Sequence, residues 1–376
     1  MEPIKTIKGV YQQKPRQWHV KSEGGRRLKN RLRKSLATTR PLRVGFVALC
    51  DCAPLVVAGE LGLFEKYGLR VQLSREVGWA TIRDKIIYRE LDAAHALAPM
   101  VFAASLGLGS VQAPAVTGLV LSLNGNAITL AACLREHGVT DGDSLAAYAR
   151  RRTEPLVFGI PFLYSSHHFL LRAWLRAHGL LVGCEVKLVV VPPPQMPAHL
   201  KAGHLHGYCV GEPWNSVAAL AGSGWRAAKG EDIAPHHPEK VLMTLRGFAE
   251  SRAEEHEQLI ASLLEACRFC AEPENRESIA KLLGQSRYVN ASSEALCASL
   301  DAAISMAENT EQFNLEPTLE PSPDKAAWVL QQLHESGLLP ASANLGPIRA
   351  SEFFRADTFK RALQRYQIYE STEATT

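Results

Sequence analysis

From residue 42 onward, short apolar runs alternate with amphipathic stretches. Residues 42–49 have the pattern of a buried strand, and residues 53–67 have the apolar spacing of a helix with Pro54 in its first turn. Residues 69–73 alternate strictly between apolar and polar side chains, as a half-buried strand does, and a second helix is predicted over 81–89. A strand–helix–strand–helix series of this kind predicts a parallel sheet with right-handed crossovers, and therefore an α/β protein.

A second series of the same kind begins near residue 144. Its predicted elements are helix 144–152, strand 156–160, helix 165–178, strand 186–191, helix 197–202, strand 206–210 and helix 213–221. A strand over 241–245 then returns to the first series, and the chain after residue 251 is nearly all helical. Between the two series, Asn124-Gly125-Asn126 separates two apolar runs. Asn-Gly permits a hairpin, and the alternative is a strand that crosses between two lobes.

Two crossings, near 124–126 and 235–241, predict two α/β lobes with a hinge and an interlobe cleft. We assign residues 41–125 and 241–376 to the first lobe and residues 126–240 to the second. A chain of 376 residues with 46% hydrophobic side chains is long enough to form two cores. In open α/β sheets, ligands bind outside the carboxyl ends of the strands, so the cleft is the predicted ligand site.

Charge is distributed unevenly along the chain. Residues 1–40 carry 12 Lys and Arg against two Glu, and we predict that this basic arm is disordered. The remaining residues carry 30 basic and 36 acidic side chains, so the folded body gives no reason to predict direct nucleic-acid binding. No apolar run reaches the ~18 residues of a membrane span, and no apolar segment of an export signal precedes Pro41. We therefore expect a cytoplasmic protein with reduced cysteines and no membrane association.

Six short motifs are shared with a known family. They are LRVGF at 42–46, APLVVAGELGLFEKYGL at 53–69, WATIRD at 79–84, LDAAHALAPM at 91–100, GEPW at 211–214 and HPEK at 237–240. Together they resemble the solute-binding proteins of nitrate and bicarbonate ABC transporters, the NrtA/CmpA-like family, over about residues 42–340. The resemblance implies a type II periplasmic-binding-protein fold, in which two α/β lobes close on a small anion.

The resemblance implies four residues at the anion site: Trp79, Asn126, His167 and Lys240. Nitrate-binding members usually have Gln where this chain has Asn126, and the shorter amide bears on ligand fit and on the choice between nitrate and nitrite. Nitrate is planar, carries one negative charge and only accepts hydrogen bonds, so a lysine, two neutral donors and an indole wall suit it. Bicarbonate also donates a proton and would favour a carboxylate. The resemblance implies Glu at position 240 in bicarbonate-binding members, so Lys240 favours nitrate or nitrite.

These four residues also have purely structural interpretations. His167 is predicted in the first turn of the helix that begins at Ser165-Ser166, where free N–H groups favour an anion, but it could equally cap that helix at the surface. Trp79 is alternatively a core aromatic and Lys240 a solvated lysine, the usual environment of that residue type. Asn126, after Asn-Gly, is alternatively a turn residue.

Three further residues complete the predicted ligand-binding set. His95 lies in the segment 92–100, a strand end whose small residues let the backbone approach a ligand. Glu212 and Trp214 open a helix after a strand and line the predicted cleft, and the alternative for Trp214 is packing alone. The histidine pairs at 167–168, 204 and 206, and 236–237 have no Cys or carboxylate at ligand spacing, so neither a metal site nor a cofactor is predicted. No nucleophile with its base can be named, so no enzyme activity is predicted.

The sequence therefore predicts a cytoplasmic sensor that binds nitrate or nitrite between two lobes. Its character is similar to the NasS type of nitrate and nitrite sensor. That resemblance implies that the ligand-free protein holds a NasT-like RNA-binding antiterminator and that the anion releases it, which regulates nitrate-assimilation genes. The alternatives are a solute-binding component of a nitrate or other small-anion ABC transporter, an enzyme of the thiamine-precursor type with a catalytic His and Cys in the cleft, and a binder of another anion such as an alkylsulfonate.

Overall fold

Two five-stranded sheets form the framework of the computed structural model, which describes residues 40–305, 318–339 and 350–374. The strands are β1 (Leu42–Val47), β2 (Val71–Glu76), β3 (Ala93–Leu97), β4 (Ala115–Leu123), β5 (Asn126–Ala131), β6 (Leu156–Ile160), β7 (Val186–Val190), β8 (Gly207–Gly211), β9 (Gly224–Lys229) and β10 (Pro238–Leu245). The first sheet has the order β2-β1-β3-β10-β4, and the second has the order β7-β6-β8-β5-β9. The predicted two-lobed α/β fold is confirmed.

Each sheet combines parallel strands with strands that arrive from the other lobe. In the first sheet β1 is parallel to β2 and β3, whereas β10 is antiparallel to β3 and β4. In the second sheet β6 is parallel to β7 and β8, whereas β5 is antiparallel to β8 and β9. Since β4 and β5 lie in different sheets, Asn124 and Gly125 connect two lobes and do not form a hairpin. The chain returns to the first sheet between Lys229 and Pro238.

The helices fill the connections between the strands and then cover the first sheet. They are α1 (Ala53–Glu60), α2 (Leu63–Lys66), α3 (Trp79–Ile87), α4 (Ala98–Leu106), α5 (Gly142–Ala149), α6 (Ser166–Ala177), α7 (Met196–Lys201), α8 (Trp214–Leu220), α9 (Gly230–Ile233), α10 (Arg246–Ser251), α11 (Ala253–Ala271), α12 (Arg276–Leu283), α13 (Ser293–Ser305), α14 (Pro323–Glu335) and α15 (Ala356–Ala374). Helix α11 packs against α1 and α15 and buries Leu259, Ile260, Leu263 and Leu264. Strands β1 and β3 are almost wholly buried, as expected for central strands covered on both faces.

Several boundaries differ from the sequence-based prediction. The helix predicted over 53–67 is interrupted at Gly62, whose φ of 71° is left-handed, so α1 and α2 are separate. Strand β9 was not predicted, because its half-buried residues show no clear alternation. Strand β10 begins three residues earlier than predicted, because its first residues are polar and nevertheless buried.

Part of the predicted organisation lies outside the described residues. The basic arm 1–40 does so except for Arg40, and the loop predicted over 309–323 is described only from residue 318. All eight cysteines lie within the described part of the chain, and none of them is in a disulfide. Within residues 40–305, 318–339 and 350–374, no helix combines the length and the apolar character needed to cross a membrane.

Candidate functional site

A cluster of buried polar side chains lies where both sheets present the ends of their parallel strands. Lys240 of β10 pairs with Leu97, the last residue of β3, and Asn126 of β5 pairs with Gly211, the last residue of β8. Helices α3 and α6 follow parallel strands and place Trp79 and His167 in their first turns. The residues predicted from sequence for the anion site therefore come from both lobes and meet at the strand ends, where ligands of open α/β sheets bind.

Lys240 is the cation at the centre of this cluster. Its side chain is fully buried, with Nζ 2.8 Å from Asp51 Oδ2 and 2.6 Å from Glu239 Oε1. The same nitrogen lies 5.6 Å from the centroid of the Trp79 ring. Lys240 is therefore a buried ammonium with two carboxylate partners and an indole neighbour, and it is not a solvated lysine.

Glu239, which sequence reasoning did not select, is hydrogen-bonded to two of the residues predicted to bind the anion, Asn126 and Lys240. Its Oε2 accepts a hydrogen bond from Asn126 Nδ2 at 2.5 Å and another from the Ser166 hydroxyl. Its Oε1 accepts from Lys240 and lies 3.4 Å from His167 Nδ1. The carboxylate of Glu239 therefore lies at the meeting point of the donors that were predicted to bind an anion.

Other buried donors in the cluster have no protein acceptor. Among the described residues, the indole N–H of Trp79 and both ring nitrogens of His167 lack a hydrogen-bond partner. His95 lies within β3, with Nε2 3.0 Å from Asp51 Oδ1 and its ring centroid 5.9 Å from that of Trp79. Because an unsatisfied buried polar group is costly, donors of this kind are typical of a ligand site.

Burial and charge together shift the pKa values of the cluster. Burial acts to raise the pKa of Asp51, but the charges of Lys240 and His95 outweigh it and hold this pKa at about 2. Burial likewise acts to raise the pKa of Glu239, but His167 and Lys240 hold it well below its ordinary value. Burial lowers the pKa of His167 to about 4, so this imidazole is neutral at pH 7. Both carboxylates are therefore ionised, and His167 is neutral.

The pKa of Lys240 is shifted in the opposite direction. Burial acts to lower it, but Asp51 and Glu239 outweigh burial and raise the pKa above its ordinary value. The carboxylates of Asp51 and Glu239 thus lie beside one ammonium, and the opposite charges keep all three groups ionised.

Glu212 and Trp214 lie at the junction of the lobes, where they contact residues other than Lys240 and Glu239. The Trp214 indole donates a hydrogen bond to the carbonyl of Ala48 at 2.9 Å, which joins α8 of the second lobe to the end of β1. The Glu212 carbonyl accepts from the Cys50 N–H at 2.8 Å, and its carboxylate binds Arg226. These two residues hold the lobes together beside the cluster.

Four members of the cluster were missed as ligand-site residues: Asp51, Ser166, His237 and Glu239. His237 lies just before β10, with Nε2 3.6 Å from Glu239 Oε2, and it stacks on Trp328. Glu239 adjoins Lys240 in the HPEK motif and Asp51 directly follows the first strand, so both positions carried a signal that could have been used. Within the described ranges, no group of three or more His, Cys, Asp or Glu side chains is arranged to hold a metal ion.

Two α/β lobes that close on a buried polar cluster define a small-ligand receptor of the periplasmic-binding-protein class. The chain belongs to the NMT1-like family, which matches residues 36–284. The crystal structure of the periplasmic nitrate-binding protein NrtA from Synechocystis is similar to it, with a TM-score of 0.80, 26% identity, and coverage of 88% of this chain and 90% of that chain. The predicted resemblance to solute-binding proteins of ABC transporters is confirmed.

Two curated relatives are more similar in sequence. The nitrate import ATP-binding protein NrtC of Synechocystis sp. is 37% identical over 314 residues, which cover 81% of this chain and 47% of that protein. The bicarbonate transport ATP-binding protein CmpC of Synechococcus elongatus is 37% identical over 306 residues, which cover 81% of this chain and 46% of that protein. The chain thus spans about half the length of these curated relatives.

Proposed function

We propose that this protein binds a small planar oxyanion, nitrate or nitrite, between its two lobes. The observation that carries the proposal is the fully buried Lys240, which lies against Trp79 of the first lobe and is joined through the Glu239 carboxylate to Asn126 and His167 of the second. The lysine supplies the charge, and the amide and imidazole supply neutral donors. Similarity to a periplasmic nitrate-binding protein supports the same ligand class.

The geometry favours binding over catalysis. The rival interpretation as an enzyme of the thiamine-precursor type needs a reactive thiolate in the cleft. Burial raises the pKa of both Cys50 and Cys209 well above the ordinary value, so these thiols stay protonated at neutral pH. Neither of these cysteines is a candidate nucleophile, and we propose a ligand receptor without catalytic activity.

Closure of the lobes is the step that we propose to depend on the ligand. The site draws residues from both lobes, so an anion that contacts both binds the closed arrangement better than an open one. A ligand shifts such an equilibrium only by its differential affinity for the two states. The protein can therefore act as a solute-binding component of a nitrate or other small-anion ABC transporter, the function that similarity to NrtA supports most directly.

A regulatory role is our second candidate. The chain aligns with part of ATP-binding transport proteins, at 37% identity, as well as with a nitrate/nitrite binding protein of Nostoc sp., at 28%. In this role the protein would be a cytoplasmic sensor that holds a NasT-like antiterminator when empty and releases it when nitrate or nitrite binds. Co-purification of such an antiterminator with the ligand-free protein, reversed by nitrate, tests this role. Retention that nitrate does not alter contradicts it.

Calorimetric titration and thermal unfolding test the binding function. We expect nitrate or nitrite to raise the unfolding midpoint of dialysed protein, since a ligand at 100 times its Kd stabilises the folded state by about 2.7 kcal/mol. Such a gain corresponds to a shift of about 2 °C or more. Bicarbonate, chloride and methanesulfonate complete the panel. If no member of the panel stabilises the protein more than chloride does, the anion assignment is wrong.

Trp214 tests whether contacts between the lobes support binding. Trp214→Phe removes the hydrogen bond to Ala48, a contact worth about 0.5–1.5 kcal/mol, and we expect nitrate affinity to fall about 2- to 10-fold because the closed arrangement is weakened. Trp174→Phe is the matched control, since Trp174 is equally buried in the second lobe and packs on His178. Calorimetry of both variants checks the prediction, and equal losses of affinity would contradict it.

A further inference from the structure

The carboxylate of Glu239 resembles the ligand that this site is proposed to bind. A carboxylate is planar, carries one negative charge and accepts hydrogen bonds through oxygens on one central atom, as nitrate and nitrite do. Glu239 is fully buried. One of its oxygens accepts a hydrogen bond from Lys240 Nζ and the other accepts one from the amide of Asn126. Both of these donors belong to the set proposed for nitrate or nitrite.

The remaining neighbours of Glu239 also keep its carboxylate within the site. The Ser166 hydroxyl donates to Oε2, and the His167 and His237 rings lie 3.4 Å and 3.6 Å from the two oxygens. These groups come from α6 of the second lobe and from the segment before β10, so the carboxylate itself bridges the lobes. An external anion has to compete with a side chain that already accepts hydrogen bonds from Lys240, Asn126 and Ser166.

Charge gives a second reason for competition. With His167 neutral, the fully buried carboxylate of Glu239 and the partly buried carboxylate of Asp51 face one ammonium, Lys240. Addition of an anion without any rearrangement would place a third negative charge around a single buried cation, which is strongly unfavourable. Asp51 makes its contacts with Lys240 and His95, whereas Glu239 contacts the donors from the second lobe. Glu239 is therefore the carboxylate that an incoming anion replaces.

We infer that Glu239 is an internal competing anion, which occupies the donors of Lys240, Asn126 and Ser166 in the ligand-free protein and is displaced when the external oxyanion binds. The inference rests on the proposed anion-binding function. A group tethered beside its site acts at an effective concentration of about millimolar or higher, so it sets the concentration range to which the protein responds. Glu239 is thus a specificity-determining residue that excludes anions too weak to displace it.

Glu239→Gln tests the inference, because it preserves size and removes the charge. We expect the variant to bind nitrate or nitrite at least tenfold more tightly than the wild type in calorimetric titrations. Asp51→Asn is the matched comparison, since it removes a carboxylate at nearly the same distance from Lys240 without freeing Asn126 or Ser166. The increase in nitrate affinity caused by Glu239→Gln should be about tenfold larger than any increase caused by Asp51→Asn. Equal gains would mean that only net charge matters, and they would overturn the inference.

Infrared difference spectra of the wild-type protein test the inference independently, because they do not require any variant to be stably folded. Nitrate should shift a carboxylate stretching band, because Glu239 loses its donors, and the same shift should persist in Asp51→Asn. A wild-type protein that binds nitrate without any carboxylate shift would overturn the inference and leave the proposed function standing. Flat titrations of both wild type and Glu239→Gln, with folding verified by circular dichroism, would instead refute the proposed function and the inference with it. If the wild type shows no nitrate binding in the titration and Glu239→Gln does bind nitrate, the result supports both the proposed function and the inference.

Discussion

Lys240→Met should weaken nitrate binding by at least about 30-fold and strongly destabilise the fold. Loss of one partner of a buried, hydrogen-bonded charge pair costs about 2–5 kcal/mol of binding free energy, which corresponds to a rise in Kd of about 30-fold or more. Folding should lose about 3–5 kcal/mol, because Glu239 would remain fully buried, and Asp51 partly buried, without their cation. Calorimetric titration and urea unfolding measure the two effects.

Lys281→Met is the control for this substitution. Lys281 forms an exposed ion pair with Glu277 on α12, far along the chain from the site, and its loss should leave both nitrate affinity and unfolding free energy unchanged within error. The double variant Lys240→Met, Glu239→Gln should recover part of the lost stability, since one of the two uncompensated carboxylates is then neutral. A Lys240→Met protein that keeps wild-type affinity would show that the anion binds elsewhere.

Mild acid should destabilise the protein between pH 7 and pH 5, well above the range in which carboxylates titrate. Burial lowers the pKa of His167, His168 and His256 to about 4 in the folded protein, against about 6.5 in the unfolded chain. The unfolded state therefore binds more protons below pH 6.5, and stability falls as pH falls through this window. Each histidine contributes about 2 kcal/mol of this loss at pH 5, or about 6 kcal/mol together.

Chemical unfolding at pH 7, 6 and 5 measures this dependence. His256 lies in α11, outside the anion cluster, so His256→Gln removes one titrating group without altering the site and should reduce the pH dependence by about one third. The low pKa of Asp51 and Glu239 adds a further loss only below about pH 4, where these groups protonate on unfolding. An unfolding free energy that is constant from pH 7 to pH 5 would contradict the prediction.

The elements of the fold could be predicted because their patterns are local. Strand 156–160 and the helix beginning at Ser165-Ser166 were placed within a residue of their observed bounds, since apolar periodicity and a Ser N-cap determine them. Strand β9 was missed because a half-buried edge strand shows little alternation. The crossing at Asn124-Gly125 could not be distinguished from a hairpin, because both use the same turn residues and only the sheet pairing separates them.

The candidate site was partly predictable for a different reason. Lys240, Trp79, His167 and Asn126 were selected by resemblance and by the chemistry of an anion, and all four lie in one buried cluster. Glu212 and Trp214, selected because they follow a strand, join the lobes, and their place in the ligand site stays a prediction. A position after a strand indicates closeness to the cleft, but the partner of a side chain depends on how the second lobe packs.

Sequence alone determined the α/β class, which follows from periodicity, and it indicated the cationic, donor-rich character of the site through the family resemblance and residue type. Only the tertiary structure decided that Glu239 joins Lys240 inside the cluster. Neighbouring residues of a regular strand point to opposite faces, so the pattern predicts that only one of the two faces the ligand. The pairing of β10 with β4 shifts register on both sides of Lys240, and this irregularity lets both side chains reach the same buried centre.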